Sequence, residues 1–258
     1  MIVSSKDNEL VKRVKKLNEK KYRDEYGEFI IEGTRMINEA LEENAKIKKV
    51  LISENFDNQD VLDKIKNQEV ALVSSHIFES ISNVNTPQGI LAIVEKPKYS
   101  ADDIDYNADN FLLLDNLQDP GNLGTIIRTA DSLDYKQIIV SKTTADEFNP
   151  KVIRSTMGAS FRVKIIRADL KEIISKMKSL GIKVYATDLA AEKNIYETDF
   201  EKSAIVIGNE GNGVSKEVQE VSSDKIKIPM KGRAESLNAA VATSVILYEI
   251  YRKENFKS

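Results

Sequence analysis

The chain contains no cysteine and no tryptophan, and it has one histidine. Without cysteine there can be no disulfide, no zinc–thiolate site and no thiol nucleophile. With one histidine, a Ser-His-Asp triad or a multi-histidine metal site would have to be built around His76. That residue lies in "VSSHIFESI" with no partner motif, and it reads as a surface or helix-start residue. No metal is expected. No apolar run approaches the roughly eighteen residues of a membrane span, and Met1 is not followed by a charged-then-apolar leader. The expectation is a soluble, cytoplasmic protein that makes no use of a membrane.

What is present suffices for a proper core: 41% of the 258 residues are hydrophobic, a length and composition that suit two modest domains. The net charge of −3 hides an uneven distribution. Residues 11–23, "VKRVKKLNEKKYR", carry seven basic residues against one glutamate, and residues 149–168 carry five basic residues and no acid. Local patches of this kind attract phosphates even in a mildly acidic protein, although either patch alone could be a solvated face. Lys12, Arg13, Lys16, Arg23 and Arg154 from these patches, with Arg35, are the candidate phosphate contacts.

After a basic amino-terminal helix, apolar periodicity alternates between strand and helix: "GEFIIEG", "TRMINEALEEN", "KKVLIS", "NQDVLDKIKN", "EVALVS", "SHIFESIS" and "QGILAIVE". This is a compact α/β unit ending near Glu95. Residues 96–110 are polar and aperiodic, which marks the best linker. A second alternation follows with strands "FLLLDNL", "QIIVS", "KVYATDL", "AIVIGNE" and "DKIKIPM", separated by helices and closed by "SLNAAVATSVILYEIYRKE". Short apolar strands bracketed by helices predict a mainly parallel sheet covered on both faces.

Ligands in such sheets bind at the carboxyl ends of strands, so three loops stand out. "DPGNLGTIIRTAD" (119–131) carries Asn122 and Arg128; by turn chemistry alone these read equally as a helix cap and a surface charge. "IVIGNEGNGVS" (205–215) has glycines at 208, 211 and 213 around Glu210. Its G-x-x-G-x-G spacing is neither the dinucleotide fingerprint nor a P-loop, so neither NAD nor ATP is supported. "IPMKGRAESLNAA" (228–240) offers Ser236 as a cap and Asn238 in the first helical turn, a cap-and-turn reading no weaker than a site.

Taken together, these three segments resemble the three motifs of the SpoU/TrmH-type (SPOUT superfamily) RNA ribose 2′-O-methyltransferases, in order and over residues 111–252. The amino-terminal unit, with "EFIIEGTRMINEAL" and "TPQGILAIVEKP", resembles the substrate-binding domain joined to rRNA-directed members. The resemblance implies an α/β fold with a mainly parallel sheet and a carboxy-terminal trefoil knot, preceded by a smaller α/β RNA-binding domain. The expected division is a basic helix plus RNA-binding domain at 1–96, a linker at 97–110 and the methyltransferase domain at 111–258. The resemblance further implies S-adenosyl-L-methionine as cofactor, a homodimer through the carboxy-terminal domain, and an RNA substrate, 23S rRNA rather than tRNA. Thr187, Gly208, Ile228, Met230 and Leu237 would line the cofactor site. Arg128 would assist the reaction, with Asn122, Glu210, Ser236 and Asn238 holding it and the ribose.

The composition is consistent with this chemistry. Methylating C5 of a pyrimidine usually needs a cysteine nucleophile, whereas methylating a ribose hydroxyl needs alignment and help with a proton. A guanidinium rarely gives up its proton, so Arg128 is expected to bridge an RNA phosphate and the 2′-oxygen, with Glu210 as the competing candidate for the base. The rival readings are a tRNA ribose methyltransferase, a non-catalytic RNA-binding or ribosome-assembly protein of the same fold, and a tRNA guanine methyltransferase of the knotted superfamily. The last does not fit the arginine in the first motif.

Overall fold

The computed structural model describes residues 2–256; Met1 and residues 257–258, the outer ends of the expected domains, lie outside the described residues. The chain divides into two compact units. One holds the chain up to Lys98 together with Asp146–Arg162, and the other holds Tyr99–Ala145 together with the chain from Val163 onward.

The first unit begins with α1 (Glu9–Lys16) and α2 (Lys20–Tyr26), so the expected single basic helix is two short ones broken around buried Leu17. There follow β1 (Glu28–Glu32), α3 (Thr34–Glu42), β2 (Ile47–Ser53), α4 (Gln59–Ile65), β3 (Val70–Val73), α5 (Ser75–Ile81) and β4 (Ile90–Glu95). His76 is exposed in the first turn of α5. The sheet order is β1-β4-β2-β3, with only the β2–β3 pair parallel. Strand alternation separates two cores. Ile30, Leu91 and Ile93 face Val11, Val14 and Phe78 on one side, and Phe29, Ile31, Ala92 and Val94 face Met36, Ile37 and Val61 on the other.

The second unit contains β5 (Asn110–Leu114), α6 (Pro120–Ser132), β6 (Gln137–Ser141), β7 (Lys164–Ala168), α8 (Leu170–Ser179), β8 (Lys183–Thr187), β9 (Ser203–Ile207), α9 (Lys216–Val221), β10 (Asp224–Ile226) and α10 (Ala239–Asn255). Its six strands run in the order β10-β8-β9-β5-β6-β7, and every pairing is parallel. β6 and β9 are buried along their whole length, as strands covered on both faces must be. Leu113, Ile139, Val184 and Val206 pack against α8 and α9 residues such as Ile174, Met177 and Val218. α10 lies beside α6, where the hydroxyls of Thr129 and Ser244 are 3.2 Å apart.

Two expected boundaries differ from what is observed. The helix α7 (Pro150–Thr156), placed by sequence in the second domain, belongs to the first unit, because the Phe148 and Ile153 side chains join the Phe29–Ile31 core; the Phe29 and Phe148 ring centres are 4.9 Å apart. The polar stretch from 99 to 110 is part of the second unit rather than a free linker. Ser100 caps a single 3-10 turn, Ile104 is buried and Tyr106 packs on the same core, while Gln137 exchanges side-chain hydrogen bonds of 3.0 and 2.6 Å with the Asp105 main chain.

The first unit is tied to its returning segment by charge. Arg23 is only 2% exposed; its Nε and Nη2 donate to Asp146 Oδ2 at 2.9 and 2.5 Å, and its Nη1 donates to the Leu17 carbonyl at 2.8 Å. Removing one member of a buried pair leaves the other charged and desolvated. Arg23→Met should therefore destabilise the protein by about 3–5 kcal/mol in urea unfolding, and the double change Arg23→Met with Asp146→Leu should recover much of that loss.

Candidate active site

The sheet reverses its direction of winding between β5 and β9. The chain leaves β5 toward β6 on one side and β9 toward β10 on the other, opening a crevice at their carboxyl ends. The loops after both strands meet there. Asp115, 2% exposed at the end of β5, accepts the Ser215 N–H at 2.8 Å, and so fixes the far end of the 208–214 loop.

Glu210 joins the two loops directly. Its Oε2 accepts the Gln118 N–H at 3.2 Å, and its Oε1 accepts the Asp119 N–H at 3.1 Å and the Asn122 Nδ2 amide at 3.0 Å. Asn238 Nδ2 donates to Asn122 Oδ1 at 2.9 Å, so three of the five expected catalytic residues form one chain of hydrogen bonds. Burial pushes the Glu210 carboxyl upward, but the Asn122 amide and the main-chain N–H groups of Glu210, Asp119 and Gln118 outweigh it, and the carboxyl ionises below its usual range. A carboxylate so engaged is a poor base.

The caps differ from the sequence reading. Asp119 caps α6 by accepting the Asn122 N–H at 2.8 Å, with Pro120 in the first helical position, which leaves the Asn122 side chain for Glu210. Asn238, not Ser236, caps α10, accepting the Ala240 and Val241 N–H groups at 3.0 and 3.3 Å. Ser236 lies in the exposed loop before it. Arg128 is exposed on α6 and has no hydrogen bond or ion pair among the described residues. It lies six residues from Asn122, about 9 Å along the helix axis, and is not part of the hydrogen-bonded chain.

Beside this cluster is a cavity of about 350 Å³, at the small end of the ligand-site range. Thr187, Gly208, Ile228, Met230 and Leu237 all line it, and Glu210 and Ser236 are also in its lining. The Thr187 hydroxyl is already donated to the Val206 carbonyl at 2.9 Å, so it presents mainly its methyl and backbone. At Gly208 a Cβ would collide with the Gly213 and Val214 backbone, which fold back to pair Asn209 with Gly213 by two bonds of 2.9 Å. Gly213 takes a φ of 68°, which closes this tight turn.

Sequence reasoning missed Asn209. Its Nδ2 donates to the Asn116 carbonyl at 2.9 Å, while its Oδ1 accepts the Gly211 and Asn212 N–H groups at 2.9 and 3.1 Å. The side chain therefore shapes the turn that presents Glu210 and clips it to the β5 loop. An asparagine two residues before a glycine is a turn signature that could have been read.

The expected RNA contacts of the first unit are not one surface. Arg23 is buried and must be withdrawn, because Asp146 and the Leu17 carbonyl consume its donors. Lys12, Arg13 and Lys16 are exposed on α1, and Arg35 and Arg154 are exposed on α3 and α7. Arg154 also donates to the Asn83 carbonyl at 3.2 Å. The 149–168 patch is likewise divided between the units: Arg162 pairs with Glu39 in the first, while Arg167 in the second donates to the Thr144 and Ala145 carbonyls at 2.8 and 2.6 Å. Among the described residues no helix is long and apolar enough to cross a membrane, and no cluster of metal-ligating side chains is present.

Comparison with known proteins gives a consistent result. Residues 109–248 match the SpoU rRNA Methylase family and residues 8–92 match the MRM3-like substrate binding domain. The chain is 34% identical to the 23S rRNA (guanosine(2553)-2′-O)-methyltransferase RlmP of Bacillus subtilis, over 96% of this chain and 98% of that one. Among solved structures, the AdoMet-bound rRNA methyltransferase from Sinorhizobium meliloti superposes with a TM-score of 0.89 at 32% identity, covering 100% of this chain and 99% of the other. The A. aeolicus TrmH/SpoU tRNA modifying enzyme, at 33% identity and a TM-score of 0.50, covers 57% of this chain and 76% of its own.

The Glu210 bonds carry a testable pH signature. Because folding lowers this carboxyl's pKa, its contribution to stability is complete at neutral pH and is lost as pH falls through the lowered value. In thermal melts Glu210→Gln should unfold at lower temperature than wild type at neutral pH, and the gap should close on acidification.

Proposed function

Because the chain belongs to the SpoU rRNA methylase family, we propose that its site methylates the 2′-oxygen of a ribose in RNA, with S-adenosyl-L-methionine as donor and 23S rRNA as substrate. The observation that carries this reading is the convergence of Asn122, Glu210 and Asn238 beside a cavity lined by glycines 208, 211 and 213 and by Ile228, Met230 and Leu237, with an unengaged arginine on the same helix as Asn122. The cavity suits the cofactor in its residues. Ile228, Met230 and Leu237 offer apolar contact, and Gly208, Gly211 and Gly213 offer backbone that a ligand can approach closely. When bound, S-adenosyl-L-methionine supplies an electrophilic methyl group on a sulfonium.

The chain's own groups then have separable tasks. Glu210, held ionised by three donors, fixes the Asn122 amide, and Asn122 orients Asn238; together they position the ribose with Ser236. Arg128 donates to an RNA phosphate and to the 2′-oxygen as negative charge develops there, and the phosphate or water accepts the proton. Its distance from the Asn122 cluster fits a group that grips the RNA backbone rather than the sugar's fixed partners.

Two observations favour rRNA over tRNA: the end-to-end likeness to a 23S rRNA enzyme, and the absence of matching length in the tRNA modifying enzyme. We also infer that the segment after β9 forms the family's trefoil knot, and that the protein works in the cytoplasm as a homodimer. Val241, Tyr248 and Tyr251 form an exposed apolar stripe on α10 that suits self-association.

Arg128→Ala should lose methyl transfer by two orders of magnitude or more (order of magnitude from removal of one charge-stabilising donor), while calorimetry finds its cofactor affinity unchanged. Near-normal turnover in that variant would remove Arg128 from the mechanism. Nucleoside analysis of RNA treated with the wild type should reveal 2′-O-methylribose; a methylated base instead would overturn the reaction assigned. Tyr248→Glu should sediment as a monomer where the wild type sediments as a dimer.

A further inference from the structure

The outer surface of α1 and α2 in the first unit carries a pattern that neither the methyl-transfer site nor the core explains. Val11 and Val14 bury the inner face of α1, so Lys12, Arg13, Lys15 and Lys16 stand outward, and Lys20 and Lys21 continue the row on α2. Between them lie Tyr22 and Tyr26, one helical turn apart, with ring centres 6.0 Å apart and planes 27° from parallel. The Arg13 guanidinium lies 5.0 Å from the Tyr26 ring centre and is locked there by two bonds to Glu28, of 2.9 and 2.8 Å. Lys16 and Lys21 lie 5.4 and 5.5 Å from the Tyr22 ring centre, and neither has a carboxylate partner among the described residues.

On a helix face, a lysine and an acid three or four residues apart can pair. Here Lys16 and Lys21 rest on an aromatic ring, a contact worth under about 1 kcal/mol at an exposed site and easily exchanged. The strip thus sets two cations, Lys16 and Lys21, against one ring, with Glu19, Asp24 and Glu25 the exposed acids in the same stretch. No large apolar side chain is exposed between residues 3 and 26, which argues against a membrane surface or an apolar protein partner.

We propose that α1 and α2 form a docking strip for an unpaired stretch of RNA, in which a base stacks on Tyr22 in place of a lysine and Lys15, Lys16, Lys20 and Lys21 take the flanking phosphates. The inference rests on the reading of this protein as an RNA methyltransferase and adds the form of RNA that it holds. Bases inside a duplex are stacked on one another and offer no free face to Tyr22, so the strip selects single strands, loops and bulges.

Fluorescence anisotropy on the full chain tests this, using a short mixed-sequence single-stranded RNA and the duplex of the same sequence as probes. Tyr22→Ala should weaken single-strand binding about 5–150-fold and leave duplex binding unchanged, and Tyr22→Phe should bind as the wild type does. The Lys16→Gln, Lys21→Gln double variant should lower the salt dependence of single-strand binding by about 1.4 in log–log slope, at about 0.7 per phosphate. Single-strand affinity and salt slope equal to wild type in both Tyr22→Ala and the lysine variant would overturn the proposal. Methyl incorporation into in vitro transcribed rRNA by the wild type is measured in parallel: its absence would count against the methyltransferase reading, while the anisotropy result would still decide the strip.

Discussion

The site depends on hydrogen bonds between the loops that follow β5 and β9, most of all those accepted by the Glu210 carboxylate. β5 and β9 are parallel neighbours whose chains leave in opposite directions, and nothing in strand pairing alone keeps the two departing loops together. Glu210 does so by accepting two main-chain N–H groups from the β5 loop and an amide from the first turn of α6. Those donors lie at a helix amino terminus, where a negative charge is favoured and main-chain N–H groups lack partners within the helix. Glu210 therefore serves structure and site together, and its lowered proton affinity follows from the same bonds.

The surrounding residues follow from this requirement. For Glu210 to reach the β5 loop, the 208–213 segment must turn back sharply, which excludes a side chain at Gly208 and calls for the positive φ of Gly213. Asn209 closes the turn from within, and Asp115 anchors its exit through Ser215. The resulting cavity is lined by the glycine backbone of this turn and by Ile228, Met230 and Leu237, with polar side chains such as Asp188, Lys227 and Glu235 also in its lining.

Much of this was legible in the sequence because it is local. Continuous apolar runs such as "QIIVS" identify buried parallel strands, and the three loops declare themselves by glycine, asparagine and proline. What was not legible depends on partners distant in the chain. Arg23 reads as one more cation in a basic run until Asp146 is brought to it, and Ile104 and Tyr106 read as stray apolar residues in a polar stretch until the core of the second unit takes them in. The capping roles of Asp119 and Asn238 were misread for a related reason: each loop holds several residues able to cap, and the choice follows from where the neighbouring side chains are needed.

The Arg23–Asp146 pair also has a consequence for the order in which the protein is made. The partners are 123 positions apart, and the segment that completes the first unit follows β5, α6 and β6 of the second. As the chain leaves the ribosome, the amino-terminal sheet can form while its arginine is still uncompensated, and the unit closes only after a third of the other has been synthesised. The first unit is thereby completed late, in the course of the second unit's own synthesis rather than as an independent module that precedes it.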